Sequence, residues 1–386
     1  MVTRKIIRGI CLLLLLLTGS HGIYAVEFQR FGQDYRALAM GNTGIASATN
    51  SAVLFYNPAV MANITGWWVD YLPIEVALSD DAIELFQDSQ DGGFDLDTQQ
   101  KQFDFMDEQI GKKLYVKTNF KLDSGLLTNP FNNMSANLVI NFNKMGFTFA
   151  ANKTYESVLN VAVRNPSLPE IHASIRHDLI QQAGVSLPIG MGKWILGFTY
   201  KQVQRKELQF VYGMGDAIEE KPFPTIEDDG VEGTGSGYDI GLLYRLPNKA
   251  RMVIGAVWRK EIKLDDATAV PGELAVGIAM THEFGIFRWT LAADMRDLSF
   301  QQGSKGDKSL NRRLHAGTEL GLFPMDTGLS FLTVRAGYNQ GYYSAGAEIT
   351  FSRAWILGYT LYTEETGEFA GQSPSARKVF YSSFGF

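Results

Sequence analysis

From about Ser135 to its end the chain alternates apolar and polar positions, with breaks at intervals. Trp194, Leu196, Phe198 and Tyr200 interleave with Lys193, Gly197, Thr199 and Lys201, and Tyr238, Ile240, Leu242 and Tyr244 with Gly237, Asp239, Gly241 and Arg245. Met252, Ile254, Ala256 and Trp258 alternate with Arg251, Gly255 and Arg259, and the period recurs through Leu274–Met280, Phe287–Met295 and Leu314–Leu322. Successive side chains of a strand point to opposite faces, so each segment reads as a strand with one apolar and one polar face. The apolar faces end in aromatics. Gly190–Gly192, Pro247–Ala250, Glu283–Gly285, Pro324–Asp326 and Ser352–Arg353 are short connections, whereas Gly213–Ser236, Ser299–Ser309 and Glu364–Ala376 are long and polar. A soluble sandwich shares the alternation, but the aromatic ends and unequal connections are those of a lipid-embedded barrel, with short turns on the periplasmic side. Fourteen or fifteen segments can be counted, and closure with both ends on one side needs an even number. The expectation is all-β: a transmembrane antiparallel β-barrel of about 14 strands spanning 66–386, beginning with Trp67–Leu78.

Two stretches break the period. Phe31–Asn63 is rich in Gly, Ala, Ser and Asn and has no sustained period, so it cannot form an amphipathic layer of its own and must be held from outside, as a plug (26–65). Within it Asn57 is a favoured N-cap and Pro58 is pre-set for a first helical position, predicting a short turn to about Ala62. Gly41 and Gly44 are places where backbone can approach another wall closely. The second stretch, about 80–116, reads as a helical insert. Glu84 is placed for a capping box from Asp81, and Phe103, Met106, Ile110 and Leu114 keep helical spacing.

At the start, Arg4, Lys5 and Arg8 precede an apolar run centred on Leu12–Leu17, and Ile23-Tyr24-Ala25 is a plausible cleavage site. Residues 1–25 are thus expected to be a secretory signal, the run being short of the ~20 apolar residues a spanning helix needs. The one cysteine, Cys11, lies in it, so no disulfide or thiolate metal site is expected in the mature chain. Removing the leader takes the net charge from −6 to −9, which argues against nucleic acid as a partner. At the other end Lys378–Phe386 alternates into a terminal aromatic, resembling the signal by which barrel-insertion machinery recognises outer-membrane proteins.

Arg36-Ala37-Leu38-Ala39-Met40-Gly41-Asn42-Thr43-Gly44-Ile45-Ala46, followed by Phe55-Tyr56-Asn57-Pro58-Ala59, resembles the N-terminal hatch of the outer-membrane long-chain fatty acid transporter (FadL-like) superfamily, which also holds aromatic-hydrocarbon channels and PorV- and TraF-like barrels. The resemblance implies passive uptake of a hydrophobic small molecule such as a long-chain fatty acid or hydrocarbon. In those proteins the substrate leaves a lumen pocket through a lateral opening beside a kinked strand. The hatch or gate residues are then Arg36, Met40, Gly41, Gly44, Asn57, Pro58 and Ala59. The alternative is a non-transport barrel serving a secretion or assembly machine or a surface structure, as some relatives do.

Chemistry-bearing residues are few. After the leader the imidazoles are His172, His177, His282 and His315, and neither G-x-S-x-G nor H-E-x-x-H occurs, so no enzyme, cofactor or metal is expected. Gly230–Gly237 has no Gly-Lys-Ser/Thr and reads as a flexible loop. Its neighbours Glu219, Glu220, Glu227, Asp228, Asp229 and Glu232 suit a solvated face, or divalent ions bridging to lipopolysaccharide beside the outer-membrane lipid. By phase, Arg251, Arg259, Arg288, Arg296, Arg313 and Arg335 point inward with Asp294, Glu319 and Glu348. Candidate lumen or ligand-binding residues are Arg259, Arg288, Arg296, Arg313, His315 and Arg335, whose charges need partners if buried.

Overall fold

Strands in lipid have only each other to satisfy their backbone donors and acceptors, so their ladder must close on itself. It does so here. The structure, a computed structural model, describes residues 27–386 apart from 51, 65, 93–98, 121–133, 143–144, 166, 220, 249, 305, 326–328, 352–354 and 386. The expected signal segment and the terminal Phe386 lie outside the described residues. The strands are β1 (Trp67–Ser79), β2 (Lys113–Thr118), β3 (Ala136–Phe142), β4 (Phe147–Arg164), β5 (Glu170–Ile189), β6 (Trp194–Gly213), β7 (Val231–Arg245) and β8 (Met252–Arg259). They continue with β9 (Glu273–Phe284), β10 (Phe287–Met295), β11 (Leu314–Pro324), β12 (Ser330–Asn339), β13 (Tyr342–Phe351), β14 (Trp355–Glu365) and β15 (Pro374–Gly385). All pairing between them is antiparallel, and β15 closes on β1 from Asp70–Gly385 to Ser79–Arg377.

Fifteen segments make fourteen staves. β2 pairs with Val76–Leu78 of β1 and Ser157–Ala162 of β4, while β3 pairs with Trp67–Tyr71 and Phe147–Lys153 of the same two strands. They are successive pieces of one interrupted stave, which is why the sequence could be counted either way.

The exterior carries the apolar phase. Trp194, Leu196, Phe198 and Tyr200 of β6 are each about half exposed, with Ile240 and Leu242 beside them on β7, and the outward phase turns polar at Gln202 and Gln204. Four outward apolar positions over seven residues approach the span of a transmembrane strand. β5 and β6 run for 20 residues and β4 for 18, against 8 to 12 for β8–β15. At ~3.3 Å per residue and a tilt near 40°, the extra ten residues rise roughly 25 Å past the rest of the barrel on that side. They rise at the end opposite the short turns.

Several expectations change. The glycine run 230–237 is not a loop: Val231 begins β7, and Gly233, Gly235 and Gly237 share its inward face. Against them packs the segment after β8, where Ile262 and Val270 pair and Ile262, Leu264 and Ala267 are buried. Side chains at those glycines would occupy its place. Arg251 does not face the lumen but sits exposed in the β7–β8 turn at φ 49°. The insert holds helices α3 (Asp80–Gly92) and α4 (Gln99–Glu108), and Leu114 belongs to β2. The first helix is capped by Ser79, whose Oγ accepts from Ala82, while Asp81 accepts from the Lys113 amide.

Candidate functional site: the filled lumen

Inside the strands lies the aperiodic N-terminal segment, nearly all of it buried between Phe28 and Met61. It has helices α1 (Tyr35–Ala39) and α2 (Val53–Tyr56) and a 3-10 turn, Pro58–Asn63. Such a segment has little to bury by itself, so its order comes from the wall, and the wall supplies it in two ways.

The first is charge. Arg36 donates from Nε and Nη2 to the two carboxylate oxygens of Glu319 at 2.7 and 2.9 Å, and from Nη1 to the Ser47 carbonyl. Glu319 also accepts from Arg335 at 2.7 Å; Arg335 reaches Glu348 at 3.1 Å, and Tyr35 donates to Glu348. Asp294 accepts from the Gly44 and Ile45 amides at 2.7 and 3.0 Å. Arg296 chelates Glu273 and reaches the Asn42 carbonyl, and Arg259 pairs with Glu273 and donates to the carbonyls of Phe55 and Tyr56. His315 bonds the Gly41 carbonyl through Nδ1 at 2.8 Å and lies 3.5 Å from Arg30. Buried ions are tolerated only when paired in this manner.

The second is the absence of side chains. Lumen-facing glycines form a seat around the segment: Gly184 lies under Leu54, Gly197 and Gly241 under Asn57–Ala59, and Gly255 and Gly277 under Ile45. Gly317 and Gly337 lie under Met40 and Gly41, Gly346 under Ala39 and Gly358 under Tyr35. At each a Cβ would overlap atoms of the segment, backbone first at Gly197, Gly255, Gly317 and Gly337 and side chain first at the others. Strand glycine where another part of the chain approaches closely is a recurring device, here used on nine strands.

Asn57 joins the two. Its Oδ1 accepts from Ala59, capping the Pro58 turn, and its Nδ2 donates to the carbonyls of Ile45 at 2.8 Å and, more weakly, Leu242 and Ala256 of β7 and β8. Gly41 takes φ 69°, and its amide donates to Ser344.

No protein-family model matches the sequence, and no curated protein matches it significantly. Solved structures do. CymD, a monoaromatic hydrocarbon channel, superposes with a TM-score of 0.55 over 93% of this chain and 98% of its own at 12% identity. The P. putida toluene transporter TodX gives 0.54 over 92% and 99% at 14% identity, and a Pseudomonas aeruginosa FadL homologue 0.52 over 93% and 99% at 13%. The fold is that of the FadL-like barrels.

Two further features belong to the wall and to the loop side of the barrel. Where β2 gives way to β3, side chains replace the ladder. Asn119 accepts from the Glu75 amide at 2.8 Å and donates to the Pro73 carbonyl at 3.0 Å; Ser135 donates to the Asn119 carbonyl and accepts from the Tyr155 amide. β1 shifts register between Tyr71 and Ile74, around Pro73, which has no amide to give. Behind this break a pocket of about 60 Å³ reaches the N-terminal segment at Gly32, Asp34 and Phe55. The other feature is a cavity of about 450 Å³ on the loop side, between Glu27–Gln33 and the tall strands.

Of the predicted lumen residues, Arg259, Arg296, Arg335 and His315 meet the N-terminal segment or its neighbours. Arg288 sits at the turn end, paired with Glu283. Arg313 is buried in the β10–β11 loop on Asp297 and the carbonyls of Asp307 and Ser309. The sequence reading missed Tyr35, Glu273, Ser344 and the glycine seat. The seat had a signal, since glycine recurred at the polar phase of most strands.

Proposed function

We propose that this protein is an integral outer-membrane channel for passive uptake of hydrophobic small molecules, long-chain fatty acids or hydrocarbons, with residues 27–64 as its hatch. The observation that carries the reading is the pairing of a filled lumen with a wall broken at one stave. A solute cannot run straight down a bore occupied by a segment seated on nine strands. The break at Asn119 and Ser135 adjoins a pocket that touches the hatch, and an apolar solute leaving sideways there would enter lipid without crossing water. The hatch residues are Arg36, Met40, Gly41, Gly44, Asn57, Pro58 and Ala59. The solved barrels of this fold are named for toluene and monoaromatic hydrocarbons, which supports the solute class and a non-enzymatic role. Outer-membrane lipid and lipopolysaccharide then surround the barrel, and insertion machinery reads β15.

The test is uptake of labelled oleate and of toluene by cells with and without the gene. Faster uptake with the gene supports the channel. Equal uptake, with a stable protein co-purifying, supports a barrel serving a secretion or assembly machine.

A further inference from the structure

The 450 Å³ cavity has the wrong lining for a hydrocarbon. Among its described residues seven are Lys or Arg and three are Glu, with polar side chains between them. Some of these charges are matched: Arg377 chelates Glu27 at 2.7 and 2.8 Å, and Glu156 takes both Lys117 and Arg176. The surplus is positive, and its floor holds three buried donor atoms without an acceptor among the described residues. Arg30 is more than nine-tenths buried, yet its Nε and Nη2 have no hydrogen-bond partner among the described residues, and the Glu273 carboxylate is 3.9 Å away. Burial, with Arg296 adding to it, pushes the Arg30 guanidinium down to about 10, which leaves it charged at neutral pH. Gln33, equally buried beside it, has an unpartnered Nε2. A buried donor without an acceptor costs about 1–3 kcal/mol, more when charged, so the arrangement is relieved by a ligand bringing acceptor oxygens. At the rim Lys113 donates to the Pro374 carbonyl at 3.0 Å.

We infer that this cavity binds a hydrophilic organic anion, one whose carboxylate or phosphate oxygens accept from Arg30 and Gln33 at the floor while Lys113 meets it at the mouth. The site goes beyond hydrophobic uptake and stands whether or not an apolar solute crosses the wall. Its size suits a molecule of the bulk of a small sugar acid or tricarboxylate.

Calorimetric titration of the full mature protein in detergent tests it, with citrate, glucose 6-phosphate, glucose and oleate as probes. Saturable binding of citrate or glucose 6-phosphate, weakened by added salt and absent for glucose, supports the site, and whichever anion binds names the head group. Arg30→Gln should weaken it about tenfold or more. Should that variant lose the heat-modifiable barrel, Gln33→Leu and Lys113→Gln carry the test, each with a loss of about threefold. No binding of either anion, binding indifferent to all three substitutions, or binding of oleate alone overturns it.

Discussion

Arg36 and Glu319 stand 283 positions apart in the chain and meet in a two-bond ion pair sealed from solvent. Glu319 also holds Arg335, so the two partners are not equivalent. Glu319→Gln leaves Arg36 without a carboxylate and Arg335 with Glu348 alone, whereas Arg36→Met leaves Glu319 still paired with Arg335. Breaking a buried pair costs about 3–5 kcal/mol, and Glu319→Gln should be the worse of the two, with Arg36→Met/Glu319→Leu recovering part of the loss. Urea unfolding followed by the heat-modified gel shift measures all three. Equal losses from the two single variants would show that Arg335 contributes nothing.

Gly197 and Gly317 should not tolerate a methyl group. At each the added Cβ would overlap backbone of the N-terminal segment, at Ala59 and Met40 respectively, where no flexible side chain can give way. Overpacking of this kind costs about 1–3 kcal/mol. Gly213→Ala, where the nearest side-chain atom would be 3.6 Å off, is the control and should be neutral. Protease sensitivity of the N-terminal segment in the inserted barrel is the readout.

Asn57 should be irreplaceable by its near-isostere. Alanine loses the cap, about 1 kcal/mol, and the bonds to three carbonyls. Aspartate keeps the cap but turns a charged oxygen on the same carbonyls of Ile45, Leu242 and Ala256. The order of single-channel conductance in planar bilayers is therefore expected to be wild type, then Asn57→Ala, then Asn57→Asp, with deletion of Gly41–Ala59 highest. A deletion protein that inserts and conducts no better than the full chain would end the hatch reading.

Asp34 sets a pH dependence. Burial pushes its carboxyl up to about 6, with Arg36 and hydrogen bonds from Asn50 and Ala37 opposing only in part. Below about pH 4 the carboxyl is protonated both folded and unfolded; between pH 4 and 6 the unfolded chain gives up a proton that the folded one keeps. The stability tied to the protonated form is full below pH 4 and lost as pH rises through 6. The difference in unfolding temperature between wild type and Asp34→Asn should change over that window and be flat above it. A difference flat across the whole range would show a carboxyl that titrates alike folded and unfolded, and one that changes only below pH 4 a carboxylate held charged in the folded state; either outcome overturns the prediction.

Much of the barrel was legible because lipid imposes a strict rule: every second side chain must be apolar. That rule marked the belts of β6, β7 and β9–β11 and the closing strand, and local chemistry marked the Asn57–Pro58 turn. The rest escaped for physical reasons. Glycine carries no hydropathy, so the first part of β7, with Gly233, Gly235 and Gly237 facing inward, read as a loop while it served as a bed for Ile262 and Leu264. Where β4–β6 rise past the other strands the alternation continues with polar residues outside, and the period no longer tells how far the strand runs. Arg251 kept the phase of an inward residue but lay one step beyond its strand, in a turn. The ties between the N-terminal segment and the wall, such as Arg36 to Glu319, join residues hundreds of positions apart, and no spacing encodes them.

The glycine seat also fixes an order in time. Its members run from Gly184 to Gly358, so the place where residues 35–59 come to rest does not exist until the chain has been delivered through β14. The segment that is synthesised among the first must therefore wait, unpaired, while strand after strand is laid down around it. Whatever holds the unfinished barrel has to shelter some twenty-five residues that settle only when nearly everything else is in place.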